Sequence, residues 1–167
     1  PILKFEEGYW VSPYSKFSAL KRIFKELKNK KIPIMLDLEL PTTKNPLLYI
    51  TQFFNFSKSK SIIRKFIQDY SGDIYLAEYY PLENLNEKIL TATGLHYKNK
   101  KVKIIKMIYH SMHDFNEDFI IKQINLGKKK YGENYIISLG TIAKGIKGDE
   151  PILSTNKLKK DLDIVKK

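Results

Sequence analysis

The sequence predicts an α/β fold made of parallel strand–helix repeats. Short apolar runs of strand length alternate with stretches of helical periodicity along most of the chain, and turn residues separate them. The chain has 167 residues, about one domain's worth, so residues 1–167 are expected to form a single domain. With 43% hydrophobic residues, 11 Tyr and 9 Phe, it is too apolar and aromatic to remain disordered.

The elements follow in order. Phe5 to Val11 reads as an opening strand. Phe17, Leu20, Ile23, Phe24 and Leu27 share one helical face behind Ser15 as N-cap, and Lys28-Asn29-Lys30-Lys31 closes that helix with favourable positive charge. Ile32 to Leu40 is a strand ended by Pro41, and Lys44 to Phe56 reads as a loop with some helix. A helix over Lys58 to Tyr70 leads through Ser71-Gly72-Asp73 into a strand from Ile74 to Tyr80. Asn86 to Thr93 is a short helix stopped at Gly94, and Val102 to His110 is a strand. Asn116 opens a helix ending before Gly132, Tyr135 to Ile142 is a strand, and Ser154 caps a last helix. The count is about five strands.

No Gly-x-Gly-x-x-Gly or Gly-x-x-x-x-Gly-Lys loop follows any strand, which removes the main support for an open nucleotide-binding sheet. The alternation then favours a barrel. A complete one takes about 250 residues, and the last helix reaches Lys166-Lys167 where another strand would follow. The expected architecture is therefore a partial or small (β/α) barrel of the TIM type, truncated at its C-terminal side.

The absence of cysteine excludes disulfides, thiolate metal sites and a cysteine nucleophile. No apolar run reaches the roughly 20 residues of a membrane span, and the N-terminal residues do not form a signal peptide, so a cytoplasmic protein is expected. The net charge of +12 admits a nucleic-acid partner. A Lys- and Ile-rich composition of this kind is also usual for proteins of hot habitats, where charged surface networks are common, or of AT-rich genomes.

Strand parity selects the candidate chemistry. In Ile34-Met35-Leu36-Asp37-Leu38-Glu39-Leu40 the leucines and Ile34 face the helices, leaving Asp37 and Glu39 on the other face at a carboxyl end. Glu78 and Tyr80 close the next strand, and Lys106 and His110 share a face of the one after. In the last strand Tyr135, Ile137 and Leu139 look helix-facing, with Ser138 and Gly140 inward. Ligands bind at the carboxyl ends of parallel strands, so Asp37, Glu39, Glu78, Lys106 and His110 form a candidate constellation. Glu39 and Glu78, assisted by Asp37, are the expected carboxylates of a glycosidic cleavage, one as acid and one as nucleophile or base. Lys106, His110, Tyr80 and Trp10 would contact substrate, and Tyr14, Tyr79 and Tyr109 offer further stacking surfaces.

Leu36-Asp37-Leu38-Glu39 and Leu76-Ala77-Glu78-Tyr79-Tyr80, both at strand ends, make the chain resemble the (β/α)-barrel glycoside hydrolases and their relatives. The resemblance covers Ile32 to Ile142 by order of elements and implies a carbohydrate or other small-molecule substrate with no cofactor. Two other functions compete. Lys106 would serve a Schiff-base lyase if its amine were isolated and desolvated. Lys28 to Lys31, Lys98 to Lys103, Lys128 to Lys130 and Lys157 to Lys167 would serve a protein that binds nucleic acid or an acidic surface through a basic face. Asp37, Glu39, Glu78, His110, His113 and Asp114 include metal-binding side chains, but His110-Ser111-Met112-His113-Asp114 is not a recognised zinc spacing, and no metal is expected.

Overall fold

The computed structural model describes residues 3–40, 47–78, 84–109, 115–140 and 152–166. Four strands, β1 (Ile34–Asp37), β2 (Ile74–Glu78), β3 (Val102–Ile108) and β4 (Tyr135–Leu139), form one parallel sheet in the order β1-β2-β3-β4. Six helices accompany them: α1 (Phe17–Leu27), α2 (Leu47–Phe53), α3 (Phe56–Asp69), α4 (Asn84–Thr93), α5 (Glu117–Tyr131) and α6 (Thr155–Val165). The predicted alternation of strands and helices is thus observed. The sheet leaves β1 and β4 as edges, so the described residues form an open parallel sheet and not a closed barrel.

The register Ile34↔Ile74↔Val102 and Leu36↔Leu76↔Ile104↔Tyr135 puts these residues on one face. Leu20, Ile23, Phe24 and Leu27 of α1 and Ile63, Phe66 and Ile67 of α3 bury that face. Toward β4 the same layer continues as Ile108 and Ile137 packed by Ile120 and Ile124 of α5 and Ile164 of α6. Burying an aliphatic or aromatic side chain of this size contributes about 1.5–3 kcal/mol, so this layer is the main source of stability. The opposite face, with Met35, Asp37, Tyr75, Ile105 and Ile136, is more open, and Met35 is 62% exposed.

Two local expectations are corrected. Phe5 to Val11 is not a strand: Phe5–Glu7 is a short 3-10 helix, and Gly8 (φ 112°) and Tyr9 (φ 60°) then turn through the left-handed region, which breaks an extended chain. Ser15 does not cap α1. Lys16 holds the N-cap position, while the Ser15 hydroxyl donates to the Trp10 carbonyl (2.6 Å) and accepts from the Ser12 N–H (3.1 Å). The caps at Asn116 and Ser154 are as the sequence indicates, accepting from the N–H groups of Phe119 and Lys157.

Gly127 shows how closely α5 sits on β4. A Cβ there would lie 2.1–2.4 Å from the Tyr135 ring, whose hydroxyl donates to the Gln123 carbonyl (3.1 Å). Alanine is the better helix former by about 1 kcal/mol, but overpacking costs about 1–3 kcal/mol. Gly127→Ala is therefore expected to lower the urea unfolding midpoint; an unchanged or higher midpoint would show that the ring moves aside freely.

Candidate functional site

The polar strand-end residues separate into two groups on opposite faces. On the open face Asp37 ends β1 and Glu39 follows two residues later, in chain that stays extended because the Leu38 N–H donates to the Ala77 carbonyl (2.9 Å). The alternation of Ile34, Leu36 and Leu38 toward the helices forces the two carboxyls to the other side. Burial pushes Asp37 up to about 6, and burial together with the neighbouring Asp37 charge pushes Glu39 up to about 7. Asp37 Oδ1 is buried with no hydrogen-bond partner among the described residues.

The segment carrying Trp10 lies against this strand end, because the Val11 N–H donates to the Asp37 carbonyl (2.9 Å). Trp10 packs edge-on against Tyr9 (ring centroids 4.3 Å apart), and its indole N–H is buried without a partner among the described residues. Leu40, the residue after Glu39, forms part of the wall of an apolar cavity of about 710 Å³, shared with Tyr14, Tyr49, Phe53 and Ile89. Tyr14 is fixed there by the rings of Tyr49 and Phe56, at 5.4 and 5.2 Å. A cavity of this size and character is of the kind that holds small ligands.

The second group lies in the helix-covered layer. Glu78 pairs in register with Lys106, and Lys106 Nζ donates to Glu78 Oε2 at 2.6 Å. His96, between α4 and β3, places Nδ1 2.7 Å from Glu78 Oε1, so both carboxylate oxygens are engaged. All three residues are 2% exposed or less. His96 Nε2 lies 3.4 Å from Glu87 Oε1, off the line of a good hydrogen bond. Glu87 also accepts from the Tyr131 hydroxyl (2.7 Å) and pairs with Lys130. Burial works to raise the Glu87 carboxyl, but Lys130, Tyr131 and His96 outweigh it and hold the group below its ordinary value. Burial and Glu87 together raise the Tyr131 phenol.

This arrangement corrects the expected pairing. Glu39 and Glu78 do not face each other across a cleft: Glu78 shares the parity of Ile74 and Leu76, points under the helices and is sealed between Lys106 and His96. Lys106 likewise does not reach the open face to contact substrate. Its amine is held by a carboxylate in a closed layer, without the isolation that a Schiff-base lyase needs. Tyr79, Tyr80, His110, His113 and Asp114 lie outside the described residues. Tyr109 is described, and its hydroxyl is 3.4 Å from Ser138 Oγ on the open side of β3 and β4.

Sequence reading missed His96 and Glu87. Neither lies on a strand, where parity operates, and the one available signal was a lone histidine following the helix stop at Gly94. Among the described residues no three His, Asp or Glu are grouped to hold a metal ion, and no helix is long and apolar enough to cross a membrane.

Fold and site together define an α/β chain with a four-stranded parallel sheet and a pair of carboxyls of raised pKa at the carboxyl end of its first strand. No protein-family model matches the chain, and neither a curated protein nor a solved structure shows significant similarity to it.

Proposed function

We propose that the chain is a carbohydrate-active hydrolase whose acid–base pair is Asp37 and Glu39. The observation that carries this reading is the placement of both carboxyls on the open face at a strand's carboxyl end, with Asp37 Oδ1 buried and without a partner among the described residues. Parallel α/β folds bind ligands at that end. Glu39, raised to about 7, keeps a proton to donate to a leaving oxygen near neutral pH, while Asp37, at about 6, is the more readily ionised and acts as base or stabilises developing positive charge. The consecutive order β1-β2-β3-β4 is that of one stretch of a (β/α) barrel, and in that reading Asp37 and Glu39 face the barrel interior. Trp10 and the Tyr14 wall of the neighbouring cavity supply flat surfaces for sugar rings.

The test is hydrolysis of a panel of nitrophenyl glycosides by the full chain and by Asp37→Asn and Glu39→Gln. Release of nitrophenol that both substitutions abolish supports the reading; activity surviving both substitutions overturns it.

The same carboxyls affect stability. Both hold their protons more tightly in the folded chain than at their ordinary values of 3.8 and 4.5, so the folded state binds more protons between about pH 4 and 7. Their contribution is fully present at the acid end of that window and is lost as pH rises through about 6 and 7. Asp37→Asn and Glu39→Gln are accordingly expected to raise Tm at pH 8 by several degrees and to change it little at pH 4. A lower Tm at pH 8 would mark the carboxylates as structural.

A further inference from the structure

The segments that carry α1 and α3 are strongly basic. Residues 16–31 and 56–69, which contain α1 and α3, carry eleven Lys or Arg and two acidic residues, a net +9 of the chain's +12. The two helices lie side by side, joined by the stacked rings of Phe24 and Phe66 with centroids 4.3 Å apart. Between them runs a groove of about 450 Å³, floored by those rings and bordered by Lys21 and Lys25 of α1, Lys28 at its C-cap and Lys65 of α3. Lys21, Lys25 and Lys28 recur at i, i+4 and i+7, so they form one stripe about 10 Å long. Lys58 and Lys65 are likewise seven residues apart on α3, with Ile62 between them, and all five lysines are exposed.

Most of this charge is unopposed. Arg22 pairs with Glu7 (2.8 Å) and Lys30 with Glu26 (3.8 Å), but among the described residues no carboxylate lies within ion-pair distance of Lys25, Lys28, Lys58 or Lys65. Asp69 is at the groove margin. Helix-dipole compensation accounts for Lys25 in the last turn of α1 and Lys28 at its C-cap, but not for Lys21, nor for Lys58 and Lys65, which lie outside the last turn of α3.

We infer that the α1/α3 surface docks the phosphate backbone of a nucleic acid. Two cationic rows flanking a shallow groove suit a chain of regularly spaced anions. An acidic amphipathic protein helix is the alternative occupant, but it would need a deeper apolar trough: Phe24 and Phe66 are already 5% and 8% exposed and offer little further area to bury. The surface lies on the side away from Asp37 and Glu39, so the two sites are independent.

The test is fluorescence anisotropy of a labelled 20-nucleotide single strand, and of the same-length duplex, titrated with the full chain. With about five phosphate contacts on a single strand, affinity is expected to fall about 100-fold between 50 and 200 mM salt. Lys21→Glu/Lys25→Glu/Lys65→Glu should weaken binding at least tenfold, and the corresponding Gln variant should make the salt slope shallower by two to three. Lys122→Glu/Lys159→Glu/Lys160→Glu, with the same charge change on exposed positions of α5 and α6, should weaken binding less than threefold. No saturable binding at 50 mM salt, an equal loss in the two charge-reversed variants, or tighter binding of an acidic helical peptide than of either oligonucleotide would overturn the proposal.

Discussion

Lys106→Ala is expected to destabilise the chain by about 3–5 kcal/mol, the cost of leaving a buried carboxylate without its cationic partner. That is a large part of the 5–15 kcal/mol that holds a typical domain together. The size follows from the environment of Glu78: it is 1% exposed, Lys106 is 2.6 Å from one oxygen, and His96 on the other cannot alone offset the loss of an ammonium group. Removing both charges is a different experiment. Glu78→Gln/Lys106→Met replaces an ion pair, costly to desolvate, with neutral groups of similar volume, and should recover most of the loss. Guanidinium unfolding of wild type, Glu78→Gln, Lys106→Met and the double variant gives the coupling energy. A Lys106→Ala cost below about 1 kcal/mol would mean that water reaches the pair, and would reopen a substrate role for both residues.

The second large effect is on catalysis. Glu39→Gln should lower kcat/KM for glycosides with poor leaving groups by about 10²–10⁴, the usual contribution of a general acid, and should cost little with an activated leaving group that needs no proton. The pH profile follows from the same two groups. Activity should rise as Asp37 ionises near pH 6 and fall as Glu39 loses its proton near pH 7, giving a narrow optimum between, with apparent values that belong to the coupled pair. In Glu39→Gln the alkaline limb should vanish. A variant that loses activity but keeps both limbs would remove Glu39 from the proton transfer.

The alternation of apolar and polar residues made the fold class and the open-face carboxyls legible in the sequence. Ile34, Leu36 and Leu38 leave Asp37 and Glu39 no choice of face once helices cover the sheet. The same rule, applied consistently, points Glu78 the other way, since it shares parity with Ile74 and Leu76, as Lys106 does with Ile104 and Ile108. Grouping every strand-end charge into one constellation overrode that parity. What parity cannot show is why a carboxylate and an ammonium group are tolerated under the helices. The answer lies with His96, Glu87, Lys130 and Tyr131, which come from loop and helix positions and meet only when α4 and α5 pack together. The opening segment departs from a strand because of its backbone: aromatic and β-branched residues suggest extended chain, but Gly8 and Tyr9 turn it left-handed, and the Val11 N–H then meets the Asp37 carbonyl of β1. The concentration of charge on α1 and α3 was present in the sequence as composition and became a surface only when the two helices were seen to be neighbours.

The central claim is that Asp37 and Glu39 form a poised acid–base pair, and carbon-13 NMR titration of their side-chain carboxyls in the full chain tests it before any substrate is known. Midpoints near 6 for Asp37 and near 7 for Glu39, with the Glu39 midpoint moved downward in Asp37→Asn, are the expected result. Midpoints near 4 for both, with no response of one to the other's replacement, would contradict it.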